Sequence, residues 1–115
     1  MKDDPIRSSC LNIIFEQWGY RAPTVAAKHL ENLSPELRTS ELIWKFIDAA
    51  DSVNIKLAAE WVLLTELTGK LKERAVGVAM ALLRKDKAAG LEFIKKLPAD
   101  VAEMTRTKAK RYRLL

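Results

Sequence analysis

The chain has 115 residues, 49% hydrophobic and 30% charged, with four Gly, four Pro and one Cys. A chain of this length buries roughly two thirds of its unfolded surface and folds as one domain without disulfides or metals. The single Cys10 excludes an internal disulfide and a Cys-based zinc cage, and no apolar run approaches the roughly 20 residues that span a bilayer.

The formal net charge of +5 is unevenly placed. Residues 104 to 115, MTRTKAKRYRLL, carry five basic side chains and no acid, so the other 103 residues balance 15 basic against 15 acidic ones. Divided after Gly69, the first part holds 7 basic against 10 acidic residues and the rest 13 against 5. Such polarity favours an acidic partner for the C-terminal half, or head-to-tail association of copies. The expected organisation is a helical domain over 1–103 followed by a basic C-terminal helix or tail over 104–115. Met-Lys-Asp-Asp-Pro does not begin a secretory leader, and with one cysteine a reducing cytoplasmic or nuclear setting is expected.

In chain order, Asp4 caps a first helix with Pro5 at N1, where its missing N–H costs nothing. Ile6, Cys10, Ile13, Ile14 and Trp18 recur at helical spacing as its inner stripe, and Gly19 suits the C′ position. On that stripe Cys10 reads as a small core hydrophobe. Thr24 caps a second helix, with Ala26 or Ala27, Leu30 and Leu33 inward, closed by Ser34-Pro35-Glu36. Thr39 or Ser40 caps a third, with Leu42 or Ile43, Phe46, Ile47 and Ala50 inward and Trp44 at the margin.

Residues 52 to 85 read as a central helical hairpin turning at Gly69. Val53, Leu57, Trp61 and Leu64 share one side of its first arm. The second arm contains AVGVAMALL (75–83), nine residues without charge or hydroxyl, which predicts a helix covered on several faces. Gly77 and Ala81, four apart, predict a close backbone approach there. Asp86 caps the next helix, with Leu91, Phe93 or Ile94, and Leu97 inward, and Pro98 ends it. A last helix begins at Ala99, its terminal turns exposed or frayed.

No period-two alternation calls for strands. The fold expected is all-α, six to seven short helices around the 52–85 hairpin, as a compact bundle or a short stacked-hairpin array. A weak internal echo, VAAKHLENLSPEL (25–37) against AGLEFIKKLPADV (89–101), shares an order common to helix-breaker-helix units in any all-α protein.

Little in the chain suggests catalysis. His29 is the only imidazole, and neither a second His nor a Cys pair supplies metal-ligand spacing. No GxGxxG, GxxxxGKS/T or GxSxG pattern occurs, so no catalytic, cofactor or metal residue is expected. Glu60 and Glu66, six apart on different helix faces, read as solvated acids. Trp44 and Trp61 read as core, while Trp18, Tyr20 and Tyr112 are candidate exposed anchors for a partner.

The basic residues Lys70, Lys72, Arg74, Arg84, Lys85, Lys87, Lys95, Lys96, Arg106, Lys108, Lys110, Arg111 and Arg113 form the candidate contact surface for an acidic protein or a phosphate backbone. A helix-turn-helix over 63–86 is disfavoured, because a recognition helix presents polar side chains to base edges and 75–83 has none. The expected function is a non-enzymatic adaptor or regulatory module that binds another protein, with a small DNA- or RNA-binding protein as the alternative.

Overall fold

The computed structural model describes residues 5–115, with side chains from Cys10 onward. Asp4, read as the first N-cap, and the side chain of Ile6 lie outside the described residues. Among the described residues seven helices follow one another: α1 (Pro5–Arg21), α2 (Pro23–Asn32), α3 (Ser40–Asp51), α4 (Ile55–Val62), α5 (Lys70–Lys85), α6 (Lys87–Lys96) and α7 (Ala99–Arg111). The described residues are all-α, as the periodicity predicts, and none of their helices is long and apolar enough to cross a membrane.

The helices fall into two compact units, one ending at Trp61 and one beginning at Val62. That boundary divides the 52–85 stretch, so its two arms belong to different units. The first arm is also shorter than its periodicity suggests. The Thr65 hydroxyl donates to the Val62 carbonyl at 2.8 Å, a local bond that competes with helix continuation. Residues 63–69 are then non-helical up to Gly69, whose φ of +53° strongly favours glycine.

In unit 1, α3 is enclosed on most faces: Leu42, Ile43, Trp44, Phe46, Ile47, Ala49 and Ala50 are buried. Its N-cap is Thr39, whose side chain accepts from the Leu42 N–H at 3.2 Å, as expected. Against it lies α1, with Gly19 at the closest point. A Cβ there would stand 2.7 Å from the Ala49 Cβ and 3.2 Å from the Phe46 carbonyl.

This approach turns α1 away from the predicted stripe. Phe15 and Gly19 are buried, while Cys10, Ile13 and Ile14 are exposed. Trp18, half-buried, joins α1 to α2 by stacking on His29, with ring centroids 4.7 Å apart, and meets Phe15 edge-on at 5.5 Å. Ala22, not Thr24, precedes α2, with Pro23 in its first turn, and Ala26, Ala27 and Leu30 face inward as predicted.

The N–H of Leu57 is capped by Asn54 Oδ1 at 3.2 Å, which starts α4. This helix buries Ile55, Ala58, Ala59, Trp61 and Val62, whereas Val53 and Leu64 are exposed. Phe46 and Trp61 then meet edge to face at 5.8 Å.

In unit 2, α5 buries Ala75, Val76, Val78, Ala79, Met80, Leu82 and Leu83, but Gly77 is exposed with nothing within 4 Å of an added Cβ. The close approach predicted at Gly77 and Ala81 occurs instead at Gly90 of α6, where a Cβ would stand 2.8 Å from the Leu83 Cα. Asp86 caps α6 by accepting from the Ala89 N–H at 3.1 Å. Phe93, Ile94 and Leu97 are buried and Leu91 is not.

Both α2 and α6 stop at a leucine, Leu33 and Leu97, in extended conformation, with its N–H donating to the carbonyl three residues earlier. The echo in sequence is thus an echo in how two helices end. Finally, α7 is helical to Arg111 and buries Val101, Ala102, Thr105 and Ala109, while Lys110, Arg111, Tyr112 and Arg113 in its terminal turns are exposed, the first of the two expected alternatives.

Candidate functional site

All thirteen basic candidates lie in unit 2, which carries 13 basic against 6 acidic side chains, while residues 1–61 carry 7 against 9. Many have a local electrostatic role. Arg84 and Lys85, Lys95 and Lys96, and Lys108, Lys110 and Arg111 occupy the last turns of α5, α6 and α7, where cations offset the negative end of the helix dipole. Lys95 also pairs with Glu92 at 3.1 Å. Lys70, Arg74, Lys87, Arg106 and Arg113 are exposed.

Lys72 is tied into the fold. Its Nζ lies 2.7 Å from Asp100 Oδ2, joining the first turns of α5 and α7. That hydrogen bond holds the Asp100 carboxyl below its usual range, helped by the Val101 N–H.

A groove of about 610 Å³ lies between α5 and α7, lined by Glu73, Val76, Glu103, Met104, Thr107, Lys108 and Arg111. Two carboxylates, two cations and the apolar surfaces of Val76 and Met104 therefore share one concavity. Met104 is 38% exposed. Among the described residues, none of Glu73, Glu103, Lys108 and Arg111 forms an ion pair. Of the predicted basic set only Lys108 and Arg111 line the groove. Sequence reasoning passed over Glu73, Val76, Glu103, Met104 and Thr107. The signal was present on α7, where positions 103, 104, 107, 108 and 111 recur at helical spacing.

The aromatic candidates separate. Tyr20 and Tyr112 are each 55% exposed but belong to different units, and Trp18 is packed between Phe15 and His29. Glu60 and Glu66 are exposed. Unit 1 has its own surface features: the exposed Cys10, Ile13 and Ile14 on α1, and Asp51 at the end of α3, whose carboxyl is pushed up by burial and by Asp48. Among the described residues no group of three His, Cys, Asp or Glu side chains is placed to hold a metal. Set against known proteins, the chain matches no family model, no curated protein and no solved structure.

Proposed function

We propose that the chain is a non-enzymatic interaction module, an adaptor or regulatory unit that binds an acidic segment of another protein on the α5–α7 face of unit 2. The observation that carries this reading is the groove itself. It offers an apolar floor, Val76 and Met104, beside two cations without an ion pair among the described residues, Lys108 and Arg111, the combination that the acidic part of an amphipathic segment buries against at that end of the groove.

The excess of 13 basic over 6 acidic residues in unit 2 also supports a nucleic-acid reading. Glu73, Glu103 and Asp100 interrupt that surface, and a phosphate backbone favours an unbroken cationic path. The opposite net charges of the units further support head-to-tail association of copies, which light scattering at low and high salt tests. A reducing cytoplasmic or nuclear setting belongs to the same proposal and rests on the single cysteine.

The test compares a labelled peptide of alternating Glu and Leu with a labelled DNA duplex by fluorescence anisotropy. The peptide is expected to bind, and Lys108→Glu with Arg111→Glu to weaken it roughly tenfold, in line with losing two exposed ion pairs and gaining repulsion. Tighter binding of the duplex, falling steeply with salt, supports the nucleic-acid reading instead. Truncation at residue 104 is the wrong variant, because it removes the fully buried Thr105 and Ala109.

A further inference from the structure

The charges of the groove are sorted by position. Glu73 from α5 and Glu103 from α7 mark one part of the rim, and Lys108 and Arg111 mark the part toward the end of α7. At a helical rise of about 1.5 Å per residue, Lys108 and Arg111 lie roughly 8 and 12 Å beyond Glu103 along the axis. Met104 and Thr107 lie in the interval. None of the four charged groups is neutralised by an ion pair among the described residues. A wholly acidic segment lying along the whole groove would set an anion against two carboxylates, a like-charge juxtaposition that is repulsive.

We infer that the groove takes an extended partner segment carrying a cation at one end and an anion at the other, separated by apolar side chains. The cation sits between Glu73 and Glu103, the apolar side chains cover Val76 and Met104, and the anion meets Lys108 and Arg111. This deepens the proposed function and rests on it: the segment is acidic where it meets α7's last turns and basic at its far end. The volume of about 610 Å³ is that of a small-ligand site, which suits a few extended residues and not a helix. At about 3.3 Å per residue, a separation of 8 to 12 Å places the charges roughly two to four residues apart. The two ends of the groove thus also fix the direction in which the segment lies.

The test uses two acetylated and amidated peptides whose cores are Lys-Leu-Leu-Glu and Glu-Leu-Leu-Glu, titrated into the full chain while the Met104 methyl signal is followed by NMR. The mixed peptide is expected to bind about fivefold more tightly, the effect of converting one exposed repulsive contact into an attractive one. Glu73→Gln with Glu103→Gln is expected to remove that preference. Both side chains are exposed, and circular dichroism verifies that the variant is folded. Equal binding of the two peptides, or tighter binding of the doubly acidic one, overturns the inference and leaves the acidic-partner reading standing. A preference that persists in the double variant also overturns it. Absence of any Met104 shift with either peptide overturns both proposals.

Discussion

In unit 1 the helix with the most enclosed surface is α3, which leaves only Ser40, Glu41 and Asp48 exposed. In unit 2 it is α5, which buries an equal number of side chains but keeps an open stripe through Glu73, Arg74, Gly77 and Arg84. The difference follows from what each packs against. α3 meets α1 at a glycine and alanine contact close enough to bring backbones together, while α5 shares a groove with α7 that is filled by neither helix. A helix enclosed on most faces leaves little surface for a partner. One left open along a charged stripe keeps surface available for binding, and Glu73 of that stripe lines the candidate site.

The largest expected effect tests the enclosed helix. Phe46 is fully buried and meets Trp61 edge to face, so Phe46→Ala is expected to cost about 3 to 5 kcal/mol, from lost transfer energy and the cavity left behind. Urea unfolding followed by tryptophan fluorescence measures it. A loss below about 1 kcal/mol, within the range of surface substitutions, would remove α3 from the centre of unit 1. The close approaches come next. Gly19→Ala and Gly90→Ala each drive a Cβ to within 2.8 Å of a neighbouring heavy atom, and overpacking of this kind costs about 1 to 3 kcal/mol.

These contacts also mark where the sequence stops being legible. The all-α class, the Thr39 and Asp86 caps and the inner faces of α2 and α6, Leu91 aside, could be read from spacing, because each is a local property. The orientation of α1 could not. Its apolar residues also fall outside the stripe read from spacing, at Leu11 and Phe15, so periodicity points to the wrong face, and the choice falls to Gly19 and its fit against Ala49. On α7 the buried stripe is made of Val101, Ala102, Thr105 and Ala109, residues too small to stand out as a core face. Thr105 also hides its polarity by donating its hydroxyl to the Val101 carbonyl at 2.8 Å. The groove follows the same logic, since its α7 side was periodic in the sequence but its α5 side depended on how the helices meet.

Smaller effects sharpen the comparison. Thr39→Ala in α3 and Asp86→Ala before α6 each remove an acceptor from a helix N-terminus, and each is expected to cost about 1 kcal/mol. Gly77→Ala should act in the opposite direction. With open space around its Cβ and a helical backbone, alanine there is expected to stabilise by about 0.5 to 1 kcal/mol through the helix propensity gained. A destabilising Gly77→Ala would mean that the stripe on α5 is covered, against the account of an open face.

The smallest effects separate the units by sign. Burial, and then Asp48, pushes the Asp51 carboxyl above its ordinary 3.8, and its place at the end of α3 opposes the helix dipole. The folded chain takes up this proton before the unfolded chain does, so the ionised group is a liability near neutral pH that is relieved as pH falls through the raised value toward the ordinary one. Asp100 does the reverse. The Lys72 hydrogen bond holds it below 3.8, so its contribution is complete above the ordinary value and is lost as pH falls through the lowered one. Both effects are modest for groups this accessible to water. Urea midpoints taken across the acid range resolve them. Asp51→Asn is expected to raise stability near neutrality and to remove the gain on mild acidification, whereas Asp100→Asn lowers stability near neutrality and flattens the loss in stronger acid. If both variants shift the neutral midpoint in the same direction, the opposed electrostatics of the two units are wrong.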